Sequence, residues 1–173
     1  MQIRIATETD LPALHPVIER AYRGDSARAG WTFESDLLDG ERTDLDELAA
    51  ILESPTDRLL VALSDEDAPI GCVQVTDRGE GLSYLGLLCI DPLLQAGGLG
   101  RAMIAAAESL ARDVFGARTM EMTVIDQRAE LIAYYERRGY VLTGEKRPFP
   151  IELDPPLGMV VLAKPLLPES IVG

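Results

Sequence analysis

The sequence predicts one mixed α/β (α+β) domain, with a mostly antiparallel central sheet flanked by helices in the order β-α-α-β-β-β-α-β-α-β-β. Three observations carry this reading. Short apolar runs with strand spacing are interleaved with longer runs of helical spacing. Two of the strand-like runs, 58–64 and 70–76, are joined by an Asp/Glu/Pro turn, a meander signal. The chain has 173 residues, 47% of them hydrophobic, which is the size and apolar content of one domain with a real core. The expected domain is 1–166, with 167–173 a frayed tail behind Pro165.

Each element has a local reason. Ile3 and Ile5 alternate with polar residues, as in a short strand. Thr9 and Asp10 offer a capping side chain, and Pro12 falls within the first turn of a helix. Leu14, Val17, Ile18 and Ala21 mark one face of that helix to about Tyr22. Residues 23–43 hold three glycines and a polar mix around Trp31 and Phe33, which reads as a loop or irregular helix. A second helix, 44–53, ends before Pro55. The run 83–90 is apolar on both faces, as expected of a central strand. The clearest helix is 99–115, where Leu99, Met103, Ala106, Leu110 and Val114 recur at spacings of 4, 3, 4 and 4, and Gly116 closes it. A strand at 118–125, a helix at 129–138 stopped by Gly139, and strands at 140–144 and 159–164 complete the order. The last two strands are separated by a Pro-rich loop.

Charge and composition exclude several classes. The formal net charge is −13, which argues against binding nucleic acid or an anionic membrane surface. Residues 1–86 carry 18 acids against 7 bases, and residues 87–173 carry 11 against 9. The densest acidic stretch is 34–47. It reads as a solvated face or as an electrostatic funnel for a cationic ligand. Cys72, Cys89 and His15 cannot supply a four-ligand Cys/His zinc site, so no metal is expected. Two cysteines are no disulfide framework, the first ten residues hold no signal-peptide apolar core, and no run is long enough to span a membrane. A cytoplasmic location is the expectation.

The chemistry concentrates in Asp91-Pro92-Leu93-Leu94-Gln95-Ala96-Gly97-Gly98-Leu99-Gly100-Arg101, between the central strand and the best helix. Three glycines in four positions let backbone approach a ligand closely. A helix N-terminus follows, with outward N–H groups and a positive dipole end, and Arg101 adds a charge in the first turn. Together they suit a phosphate or pyrophosphate. A P-loop needs Gly-Lys-Ser/Thr, but Gly100-Arg101-Ala102 stands here. The dinucleotide fingerprint fails at Met103, and there is no G-x-S-x-G for a serine hydrolase.

The run Gln95-x-x-Gly98-x-Gly100-Arg101, after a strand ending Cys89-Ile90-Asp91-Pro92, closely resembles the acetyl-CoA loop of the GNAT N-acetyltransferases. Downstream, Ala133-Tyr134-Tyr135-Glu136-Arg137-Arg138-Gly139-Tyr140 resembles that family's L-Y-E-K-x-G-F helix ending, and Ile3-Arg4-x-Ala6-Thr7-x-x-Asp10-Leu11 is similar to its opening. The resemblance covers about residues 2–166 and implies a GNAT-like fold. It implies that backbone N–H groups at Gln95, Ala96, Gly97, Gly98, Leu99, Gly100 and Arg101 hold the CoA pyrophosphate. It also implies that the backbone of Leu88, Cys89 and Ile90, on a strand splayed from its neighbour, meets the pantetheine arm.

The same resemblance assigns Tyr135 to protonating the leaving CoA thiolate, with Tyr134 packing. The chemistry is consistent: a thiol ionises near pH ~8.5 and a phenol near ~10, so a phenol can donate as the thiolate develops. The amine must attack neutral, and at pH 7 only about one alkylamine in a few thousand is neutral. A base is therefore expected. The family often has a glutamate early on the central strand, where this sequence has Tyr84. Glu121 on the neighbouring strand, which also reads as an exposed strand carboxylate, is the candidate, with Glu34 and Asp126 as further options. Arg128 falls where the family often has an Asn that contacts CoA, and it fits either a phosphate contact or a helix cap. Cys89 near the thioester reads as a small buried hydrophobe. Trp31, Phe33 and Phe149 fall in the region of the family's acceptor pocket, where with Glu34 they suit a cationic amine or anchor a loop.

The expected function is acyl-CoA-dependent N-acylation, with acetyl-CoA as donor and a cationic primary amine as acceptor. Attack is direct, through a tetrahedral intermediate whose oxyanion meets backbone N–H near 88–90. Two other readings stay open: a non-catalytic acyl-CoA sensor, and a protein-lysine or N-terminal acetyltransferase. A homodimer is compatible with the resemblance.

Overall fold

The structure, a computed structural model, describes residues 1–28, 43–92, 94, 98–148 and 158–166. The strands are β1 (Gln2–Ile5), β2 (Asp57–Leu63), β3 (Pro69–Gly79), β4 (Leu82–Ile90), β5 (Thr119–Ile125), β6 (Val141–Pro148) and β7 (Gly158–Pro165). The helices are α1 (Leu11–Arg28), α2 (Leu45–Glu53), α3 (Leu99–Phe115) and α4 (Ala129–Arg137). A 3-10 turn, Glu8–Asp10, leads into α1. Asp10 fixes this entry: Arg4 donates to both of its oxygens at 2.7 and 2.9 Å, and the Thr7 backbone N–H donates at 2.7 Å. These donors hold the Asp10 carboxyl at about 2, below its ordinary 3.8, with Arg4 the largest cause.

The seven strands form one sheet in the order β1-β2-β3-β4-β5-β7-β6. Every neighbouring pair is antiparallel except β4 and β5. That pair is parallel and in register only over Leu82↔Thr119, Ser83↔Met120 and Tyr84↔Glu121. Beyond Tyr84 the two strands part.

The sheet separates two cores. Leu60, Ala62, Val73, Val75 and Leu85 face α3, joined by Met120, Met122, Tyr135 and Tyr140. Leu59, Val61, Leu63, Cys72 and Cys89 face α1 and α2, packed on Leu14, Ile18 and Leu48. No residue of β5, β6 or β7 joins this second cluster, so among the described residues that face of β5 and β7 carries no helix. Truncating fully buried Leu14 or Leu48 to Ala should cost about 2–5 kcal/mol of stability.

Several expectations are adjusted. The first helix runs on to Arg28. The strand expected to stop at Thr76 runs to Gly79, and the one expected to stop at Gly144 runs to Pro148, across a register shift. In α3 the buried stripe is Leu99, Met103, Ile104, Ala107, Leu110 and Ala111, while Val114 is 51% exposed. The counted positions lie along one edge of that stripe, and Val114, which falls within it at about 100° per residue, stands in the last turn of the helix.

Candidate active site

The opening between β4 and β5 begins with a bulge. Cys72 pairs with Cys89 and Gln74 with Gly86, so Leu87 and Leu88 together oppose Val73. Leu87 takes the extra step at φ 48°, a left-handed conformation that a leucine adopts only at some cost in strain. Alternation along the strand is thereby reversed. Leu88 and Ile90 turn to the α3 side, while Leu87 and Cys89 turn to the α1/α2 core. Without the bulge, Cys89 would face the cleft. Cys89 is instead a small buried side chain of the opposite core.

Leu88 and Ile90 form the floor of a cleft of about 660 Å³ between α3 and α4. Gly98, Gly100 and Arg101 close one side, and Arg128, Leu131, Tyr134, Tyr135 and Arg138 close the other. Gly98 starts α3 in the left-handed region at φ 77°, with nothing within 4 Å of where a Cβ would stand. Gly100 is different. A Cβ there would lie 2.7 Å from the Tyr134 hydroxyl oxygen and 3.0 Å from Ile90 Cδ1, so a larger residue would have to displace these two side-chain ends into the cleft. Leu99 points into the core beneath. The helix end, with its free N–H groups and dipole, thus opens onto a cleft lined by four arginines, Arg101, Arg128, Arg137 and Arg138, against one acid, Glu130. Arg128 is nearly buried, 3.6 Å from Glu130, and Arg138 lies 5.0 Å over the Tyr134 ring. This donor set fits an elongated, multiply anionic ligand.

The other face of the same opening is polar. Tyr84 and Glu121 are side by side in the last β4–β5 pair. The Tyr84 and Thr123 hydroxyls are 2.6 Å apart. Glu121 is 9% exposed because Arg147 covers it, donating to both its oxygens at 3.2 and 3.3 Å and to Glu145 at 2.7 Å. The hydrogen bond to Glu145, then that to Glu121, hold Arg147 protonated more firmly than usual against a desolvation that works the other way. Next along this face, Asp57 accepts from Gln74 at 2.9 Å and Thr76 at 2.6 Å.

Of the residues singled out in sequence, Leu88, Ile90, Gly98, Gly100, Arg101, Arg128 and Tyr135 meet at the cleft. Tyr84 and Glu121 meet on the opposite face. Asp126 is exposed at the β5 end, apart from both. Gln95, Ala96, Gly97, Trp31, Phe33, Glu34 and Phe149 lie outside the described residues. His15 Nε2 donates to the Thr43 carbonyl oxygen, 2.8 Å away, between α1 and α2. Sequence reasoning missed Tyr134, Leu131, Arg137 and Arg138. Arg128, Leu131, Tyr134, Tyr135 and Arg138 follow the i, i+3, i+4 spacing of a single helix face, which is the signal that would have found them. Tyr134, read in sequence as packing, lines the cleft as well.

Comparison with known proteins agrees with this fold. The model of the acetyltransferase (GNAT) family matches residues 21–140. No curated protein sequence matches the chain. Among solved structures, the ribosomal-protein-S18-alanine N-acetyltransferase of Escherichia coli superposes with a TM-score of 0.73 at 18% identity, covering 99% of both chains. A spermidine N-acetyltransferase chimera from Vibrio cholerae and hSSAT gives 0.73 at 14% identity, covering 96% of both chains. The yncA protein of Salmonella typhimurium, solved with its cofactor acetyl-CoA, gives 0.73 at 20% identity, covering 98% of this chain and 95% of its own. At these identities the likeness is one of fold.

Proposed function

The chain belongs to the GNAT acetyltransferase family, and from that premise we propose that it moves an acetyl group from acetyl-CoA to a cationic primary amine by direct attack. One observation carries the reading: β4 and β5 part between an arginine-lined cleft on one face of the sheet and a carboxylate-bearing surface on the other. The phosphates of the donor match the α3 N-terminus and Arg101, with Arg128 further along the cleft. Leu88 and Ile90 flank the arm that carries the thioester. The bulge frees backbone from the β3–β4 ladder at Leu87–Leu88, which supplies N–H donors for the developing oxyanion.

The amine is to approach from the Tyr84 and Glu121 side, with Trp31, Phe33, Glu34 and Phe149 as further acceptor contacts. Its nitrogen forms the new N–C bond to give a tetrahedral intermediate, and the C–S bond breaks as that intermediate collapses. Glu121, directly or through a water, takes the proton the nitrogen loses, and Tyr135 gives its phenolic proton to the departing sulfur. Solvent restores both groups. Glu121 thereby takes over the task of the strand glutamate that Tyr84 replaces. The cationic preference is supported by the excess of acids in residues 1–86.

The test is a calorimetric titration with acetyl-CoA and with CoA. Wild type should bind both with micromolar affinity, and a Gly98→Glu/Gly100→Glu variant should bind neither. Absence of binding by a folded wild type would overturn the reading.

A further inference from the structure

Among the described residues, one buried carboxylate stands in the core beneath α3. Glu108 sits on the buried stripe of α3 beside Ile104, Ala107 and Ala111, and is only 7% exposed. The Lys164 ammonium on β7 donates to both its oxygens, at 2.9 and 3.2 Å. Tyr140, just past the end of α4 and 1% exposed, donates its hydroxyl to Glu108 Oε2 at 2.8 Å. Lys164 also lies 5.7 Å from the centre of the Tyr140 ring. Burial, and then the Glu108 charge, push the Tyr140 hydroxyl far above the usual phenol range, so it stays protonated and keeps donating.

Such a cluster is poorly explained by stability alone. An apolar replacement of a buried ion pair is often neutral or stabilising. What the cluster reaches is more informative. Tyr140 holds Tyr135 in two ways. Its backbone N–H donates to the Tyr135 carbonyl at 3.1 Å, and its ring meets the Tyr135 ring edge-on, centres 6.2 Å apart at 73°. On its other side, Tyr135 meets Tyr134 edge-on at 5.4 Å, and both rings line the cleft. Edge-to-face contacts fix ring orientation, not merely distance. Tyr140 in turn cannot shift without breaking its bond to a carboxylate that is held by Lys164.

We propose that Glu108, Tyr140 and Lys164 are positioning residues that fix where the Tyr135 hydroxyl meets the departing thiolate. The inference rests on Tyr135 as the proton donor in the function proposed above. A displacement of 1 Å at such a donor is enough to cost a large rate factor while leaving ligand affinity alone.

The experiment follows thiol release from acetyl-CoA, with water and with spermidine as acceptors, alongside the acetyl-CoA dissociation constant. Tyr140→Phe keeps the ring and loses the tie to Glu108. Glu108→Met keeps the volume and loses the carboxylate. Both should lower kcat about 10-fold with Kd for acetyl-CoA within about 2-fold of wild type. Glu108→Gln retains an oxygen for Tyr140 and should return kcat to within about 3-fold. Wild-type kcat in folded Tyr140→Phe and Glu108→Met, beside a slow Tyr135→Phe, overturns this proposal alone. Equal losses in kcat and affinity also overturn it, because they indicate a general structural role. A Tyr135→Phe variant that releases thiol at the wild-type rate, or a wild type that binds acetyl-CoA and releases none, overturns the assignment of Tyr135 and this inference with it.

Discussion

The two faces of the sheet meet the same opening between β4 and β5 with opposite charge. Facing α3 and α4, the cleft presents four arginines and one glutamate. On the other face Asp57, Glu121 and Glu145 outnumber Arg147, with Arg78 stacked 4.8 Å over Tyr84. In a chain of net charge −13, the cationic cleft runs against the average. The difference teaches that charge is sorted by face around a gap in the sheet and that the gap is where the two sides meet. An anionic donor and a cationic acceptor would then be drawn in from opposite sides without competing for one surface.

The comparison can be broken from either side. The largest effect should come from the gap itself: Tyr135→Phe should lower kcat about 100-fold with acetyl-CoA affinity unchanged, read by thiol release beside calorimetry. Equal activity would remove the phenol from the mechanism. On the cleft face, Arg101→Glu should weaken acetyl-CoA about 30-fold, and the loss should shrink as salt is raised, since the contact is ionic. An unchanged Kd would detach Arg101 from the donor. On the opposite face, Glu121→Gln should lower kcat/KM for a polyamine about 10-fold and leave the acetyl-CoA Kd untouched. A change in Kd alone would place Glu121 on the wrong side of the gap.

The smallest effect concerns neither face. Asp10 is held at about 2 in the folded chain against an ordinary 3.8, so its carboxylate contributes stability at neutral pH. That contribution is full above the unfolded value and is lost as pH falls through the folded value. Asp10→Asn should therefore be less stable than wild type from neutral pH down to about 4 and should converge on it toward pH ~2, as followed by circular dichroism.

The order of the later elements was legible because α3 and α4 carry their own stops. Gly116 and Gly139 stand at left-handed positions, φ 64° and 100°, just past α3 and α4. The donor loop was legible for a similar local reason, since glycines and a helix start are contiguous in the chain. The bulge at Leu87–Leu88 was not: Gly86 beside it is its only mark in the sequence, its positive φ falls on a leucine, and its consequence is a reversal of facing. That is why Cys89 stood with the cleft residues in sequence and stands in the opposite core in the fold. Glu121 could be named but not placed, because its meaning depends on pairing with Tyr84 across 37 residues of chain and on Arg147 from a distant strand. The cationic cleft was hidden for a related reason: Arg128 and Arg138 share one face of α4, but Arg101 stands on α3 and joins them only through the packing of the two helices.

The most direct measurement is mass-spectrometric detection of acetylated product after incubation with acetyl-CoA and, separately, spermidine, a lysine-rich peptide, a neutral amine and glutamate. The account predicts a mass gain of one acetyl group on the cationic amines, faster than on the neutral or acidic ones, and dependent on Tyr135 and Glu121. Tight acetyl-CoA binding with no acetylated amine would contradict it and make the chain an acyl-CoA sensor. Faster acetylation of glutamate than of spermidine would reverse the assignment of the acidic face.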